Sequence, residues 1–217
     1  MQYVDTAGFL ALQGLFTAHV TGNFVTLGAA LVFGTSGVIA KLVALPVFCV
    51  VVMVSRLLGT ALSARGKNAA STLLFAKVVL LAIGAALAIR LGPFTNGDGW
   101  PAIVTGMVLV AAMAIQNAVQ RIHLSSAPPT TMMTGTTTQI MIDLADFATG
   151  QRDAAMRIRF RRMAAAVVAF AIGCALAAIL YASIQTWCFA LPPVLGLAAF
   201  LIRIYREPAE VEAARAK

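Results

Sequence analysis

Two apolar runs, residues 38–62 and 69–89, are each long enough to cross a bilayer, and only a short polar stretch around Arg65 and Lys67 separates them. About 20 apolar residues span the hydrocarbon core. No water reaches backbone N–H and C=O groups there, so runs of this kind fold as helices that satisfy their own backbone. Comparable segments are expected at about 102–124, 162–181 and 186–204, with a shorter first helix at about 3–16. The chain has 217 residues, 60% hydrophobic and 11% charged, which leaves little for a soluble domain and predicts about six or seven crossings. Its net charge of +8 would suggest nucleic acid in a soluble chain. Here the basic residues lie mostly between apolar runs, which argues for membrane orientation and against a nucleic-acid partner.

Two polar interruptions break this apolar pattern. The first is Phe16-Thr17-Ala18-His19-Val20-Thr21-Gly22-Asn23, and the second is Thr130-Thr131-Met132-Met133-Thr134-Gly135-Thr136-Thr137. Short helices are expected after each, at about 21–33 and 134–147. Irregular backbone at membrane depth is tolerated only where protein or a watery cavity covers it. Two such breaks therefore read as two halves of one site near the midplane.

The halves repeat. Thr21-Gly22 recurs 113 residues on as Thr134-Gly135, Leu58-Gly59 recurs 114 on as Ile172-Gly173, Ile83-Gly84 recurs 112 on as Leu195-Gly196, and Arg90 recurs 113 on as Arg203. Repeat one is drawn at about 1–92 and repeat two at about 100–205, in one transmembrane domain of residues 1–205 with a polar cytosolic tail at 206–217. If both short helices dip in and return, Arg65, Lys67, Arg121, the arginines of 152–162, Arg203 and the tail share one side. Only Lys41 and Arg90 then fall on the other, as the positive-inside rule asks. Each half crosses three times in this arrangement, so the halves are inverted. The predicted fold is an all-α membrane protein of about six transmembrane helices plus two half-helices, in an inverted 3+3 repeat, both termini cytosolic. By the same offset, about ten residues ahead of the second copy have no counterpart ahead of Met1. Either more chain precedes Met1, or the first helix begins inside the bilayer.

Tyr3-Val4-Asp5-Thr6-Ala7-Gly8-Phe9-Leu10 with the first break, and Ala114-Ile115-Gln116-Asn117-Ala118 with the second, resemble the signature of the YoaK-like bacterial inner-membrane proteins. The resemblance covers nearly the whole chain. It implies a six-helix protein of the bacterial inner membrane and supplies no substrate.

Asp5 is the one acid in the first apolar stretch and falls about 16 Å from the far end of its helix. A carboxylate at that depth usually marks an ion path or proton relay, unless it caps or pairs locally. Thr21, Gly22, Asn23, Thr134, Gly135, Thr136 and Thr137 stand at half-helix N-termini, whose unused N–H groups and positive dipole end suit an anion or polar solute. Gly22 and Gly135 are expected to permit tight turning and close approach. The bland reading makes these residues caps and interhelical contacts. Gln116 and Asn117, with Gln13 and Gln139, either complete a polar lining or bond between helices. His19 titrates, binds a soft metal with Met132 and Met133, or bonds to backbone; the last is preferred, and no metal or other cofactor is expected. Asp143 is a candidate partner for Arg56 or Lys77, or is solvated near the cytosolic end of its helix, and Arg56 either pairs with Asp5 or snorkels, the latter preferred.

These features favour a transporter or channel for a small polar or anionic solute, with proton coupling through Asp5. The expected partners are that solute and the lipid bilayer, with a homo-oligomer left open. A non-transporting scaffold or sensor is the alternative. An enzyme is disfavoured, because the chain has two His and no Gly-x-Ser-x-Gly or His-Glu-x-x-His motif.

Overall fold

The computed structural model describes residues 2–123, 133–150 and 153–215, with side chains as far as 204. Eight α-helices follow one another among the described residues: α1 Gln2–Ala11, α2 Gly22–Phe33, α3 Val38–Ala64, α4 Ala69–Leu91, α5 Trp100–His123, α6 Thr134–Ala148, α7 Ala154–Ile184 and α8 Leu191–Arg215. A 3-10 segment, Gln185–Ala190, joins α7 to α8, and no strand occurs among the described residues. Among the described residues four segments are long and apolar enough to cross a membrane: α3, α4, α5 and the combined stretch Ala154–Ile204. They make the chain a multi-pass helical membrane protein. Its outer faces carry exposed Leu31, Val32, Phe33, Leu57 and Ile179, as surfaces solvated by lipid should.

Three boundaries differ from expectation. Helix α1 stops at Ala11, not near 16, because Gln13 and Gly14 both take positive φ (54° and 81°) and turn the chain out of the helix. Helix α7 begins at Ala154, so the arginines at 157–162 are helical rather than a linking loop; Asp153 caps its first turn by accepting from the Ala155 N–H. The final helix starts later than expected, at Leu191, after the 3-10 turn that follows Gln185 (φ 52°).

Helix α5 is the centre of the packing. It lies against both α3 and α4, and Leu109, Val110, Ala112 and Met113 are fully enclosed. Gly84 of α4 makes the α4–α5 approach possible, since a β-carbon there would meet Leu109 Cδ2 at 2.6 Å. Helix α1 packs on α7, α2 on α3, α6 on α7 and α4 on α8.

At one end of the molecule the loop before α5 closes over the start of α3. The Asp98 carboxylate accepts from Gly37 N (2.8 Å) and Ile39 N (2.7 Å), capping α3 from another part of the chain. Gln13 Nε2 donates to Phe94 O, and Lys41 Nζ donates to Gln13 O, so the first break is tied into the same knot. Burial pushes the Asp98 carboxyl up, but the N–H groups of Gly37, Ile39, Ala40 and Val38 outweigh it and hold the group below the ordinary carboxylate range. The stabilisation is therefore present above that range and is lost as pH falls through the lowered value. Asp98→Ala is expected to cost about 1 kcal/mol. Thermal unfolding across acidic pH checks this: the gap between wild type and variant should close as the carboxylate protonates.

Candidate functional site: the first polar break and the facing helices

The chain between α1 and α2 is a folded loop organised by two buried side chains. Asp5, 3% exposed, reaches up from α1. Its Oδ1 accepts from Thr17 N (2.7 Å), Ala18 N (2.6 Å) and Thr17 Oγ1 (3.3 Å). Its Oδ2 lies 2.5 Å from His19 Nδ1, in direct hydrogen-bond contact with the ring. The loop can lie this close because Gly8 of α1 has no β-carbon; one would meet Thr17 Cγ2 at 2.9 Å. Gly106 of α5 likewise makes room for Leu15. Phe9, Phe16, His19 and Phe170 of α7 then form a chain of ring contacts across the top of the loop.

Asn23 supplies the second clamp. Its Oδ1 accepts from Phe16 N at 2.8 Å, and its Nδ2 donates to Phe16 O at 2.9 Å, so one amide closes the loop on both sides of Phe16. The start of α2 does not offer unused N–H groups, contrary to expectation. Gly22 N, Asn23 N and Phe24 N donate to the carbonyls of His19, Val20 and Thr21. The loop turns tightly enough to feed its own carbonyls to the helix start. Thr21 is exposed and makes no side-chain cap. Gly22 does serve close approach, but its neighbour is the Phe16 ring, 3.2 Å from where a β-carbon would sit.

Positions 124–132, which include Thr130, Thr131 and Met132 of the second break, lie outside the described residues, so any approach of that stretch to His19 does too. At the start of α6, Thr136 is buried while Thr134, Gly135 and Thr137 are exposed. Gly135 has open space around it, so the close approach expected there is not made by any described residue. Met133, Thr134, Thr137, Thr138, Met141, Ile142 and Ala145 line an open groove of about 750 Å³ along one face of α6. Further along, Asp143 is fully enclosed and pairs with Arg159 of α7 through two nitrogens, with Gln139 Nε2 bonding to Oδ1. Neither Arg56 nor Lys77 is its partner. The α6–α7 hairpin makes Arg159 the nearest cation, and neighbours along the chain meet first. Arg56 does not reach Asp5, whose oxygens the loop already occupies.

On α5, Gln116 and Asn117 part ways. Asn117 Nδ2 donates to Met113 O of its own helix, and Gln116 Oε1 accepts from Lys77 Nζ of α4 at 2.5 Å. Lys77, expected only as a possible partner of Asp143, reaches Gln116 instead. The signal was present: one cation inside the apolar run 69–89, where charge is expensive. Asp5, His19 and Asn23 thus belong to one constellation, and Gln116 belongs to another with Lys77.

The profile of a family described as proteins of unknown function, DUF1275, matches residues 3–202. The chain belongs to the DUF1275 family. The resemblance to YoaK-like proteins agrees with this membership. The matched span of this DUF1275 chain begins at Tyr3 and so takes in Asp5, the Asn23 clamp and the Lys77–Gln116 pair. No curated protein and no solved structure matches the chain.

Proposed function

We propose that this chain is a transporter or channel for a small polar or anionic solute in the bacterial inner membrane, coupled to protons through Asp5 and His19. The observation that carries the reading is the Asp5–His19 pair, held in a folded polar loop within an otherwise apolar chain. Asp5 and His19 stand in direct hydrogen-bond contact, and an acid beside an imidazole within an apolar chain is the kind of pair through which protons are relayed.

The inverted repeat is part of this proposal, with six crossings and two half-helices. Its support is an exchange between the halves. Helix α1 packs on α7, and its counterpart α5 packs on α3. Tyr3 Oη of α1 donates to Cys188 O ahead of α8, and Gln116, 113 residues after Tyr3, accepts from Lys77 of α4. Each half thus lays its first helix against the other's third, and α5 is bonded to α4 while α1 is bonded to the 3-10 segment that leads into α8. Helices α2 and α6, at 12 and 15 residues, reach about 18 and 22 Å, short of a ~30 Å core. The bias of Lys and Arg toward one side supports cytosolic termini.

The full use of the Asp5 carboxylate by the loop favours one alternative, a non-transporting scaffold or sensor. Proteoliposome flux of a panel of small neutral and anionic solutes separates the two. Asp5→Asn keeps an oxygen for the Thr17 and Ala18 N–H groups and removes the charge. Its flux is expected to lose pH dependence while the protein stays folded. Unchanged pH dependence removes Asp5 from the coupling, and no flux of any solute by the wild type leaves the scaffold reading standing.

A further inference from the structure

We propose that Lys77 and Gln116 form a binding site for a small monovalent anion, inside the membrane between α4 and α5. Lys77 stands eight residues after Ala69 and Gln116 seven before His123, each about 10–12 Å in from the same end of the bundle. Lys77 Nζ has one hydrogen-bond acceptor among the described residues, the neutral Gln116 Oε1. An ammonium carries three donors and a primary amide two. Two N–H of Lys77 and both N–H of Gln116 thus have no acceptor among the described residues. The neighbouring apolar cluster of Leu73, Ile115 and Val119 offers none.

Charge makes the same demand. Helices α3, α4 and α5 contain no Asp or Glu, yet they carry Lys77 and Arg56 at the same depth. Arg56, eight residues before Ala64, lines a cleft of about 230 Å³ with Thr60, Ser63 and His123, at the end of the bundle from which an anion would enter. A cation in apolar surroundings without a counter-charge is disfavoured, and a ligand that brings the counter-charge offsets part of that cost. One ammonium neutralises one negative charge. The flanking amide adds direction, which suits a planar oxyanion such as a carboxylate or nitrate.

The proposal deepens the transport reading by giving the cargo a charge, and it is tested by binding so that the two can fail separately. The full chain in nanodiscs of zwitterionic lipid is titrated calorimetrically with sodium nitrate and sodium acetate, against a sulfate background of constant ionic strength, whose dianion one ammonium does not match. Saturable one-site binding of either anion is expected. Lys77→Met should abolish it, and Gln116→Leu should weaken it by about tenfold. No saturable heat with the wild type overturns the site whatever the variants do. An affinity unchanged in Gln116→Leu overturns it even if Lys77→Met does not fold. Anion binding without flux keeps the site and removes the transporter. Flux of a neutral solute without anion binding keeps the transporter and removes the site.

Discussion

Asp5→Ala is expected to lower stability by about 2–5 kcal/mol, because it orphans the enclosed N–H groups of Thr17 and Ala18 and takes away the anchor of His19. The cost falls on the loop first. Thr17 is fully enclosed, and its N–H group has no route to water unless the loop opens. Asp5→Asn should retain most of the stability, since an amide oxygen still accepts from both N–H groups. Thermal unfolding in detergent measures the contrast. An Ala variant as stable as the Asn variant would mean that these hydrogen bonds do not hold the loop.

Arg159→Met is the second large effect. It leaves Asp143, fully enclosed between α6 and α7, with Gln139 as its remaining side-chain donor. Arg159 itself is half exposed, but removing it leaves the enclosed carboxylate with its desolvation cost and without its compensation, which is worse than removing both. The single variant should therefore melt well below wild type, and Asp143→Leu combined with Arg159→Met should recover much of the difference. A single variant that melts with the wild type would show that the carboxylate is hydrated there. The pair also bears on how α6 is held. Its described packing is against α7, so its angle to the bundle rests on this contact and on the Phe147–Phe160 rings.

The long helices were legible because apolar run length and the need to satisfy backbone in lipid leave one solution. Helices α3 and α4 begin at the expected residues, and α2 and α6 begin within one residue of them. The end of α1 was not legible, since Ala11-Leu12-Gln13-Gly14-Leu15 is as apolar as the helix before it. What stops the helix is a tertiary demand: Asp5 needs the N–H groups of Thr17 and Ala18, which are within reach only if the chain doubles back. Composition marked Asp5, His19 and Asn23 as residues out of place in an apolar setting, but not that they grip one another's loop. The partners of Asp143 and Lys77 were beyond sequence for the same reason. A side chain pairs with what packing brings near, and run lengths say nothing about which helix faces rotate together.

Asn23 exchanges two hydrogen bonds with a single residue, as one strand does with its neighbour. Aspartate at that position has the shape but no hydrogen to give, leucine has neither donor nor acceptor, and glutamine places the same group one methylene too far out. A saturation library at residue 23, selected for folded protein, should return asparagine almost alone. That intolerance would be written by seven residues of local geometry, with no reference to cargo or lipid.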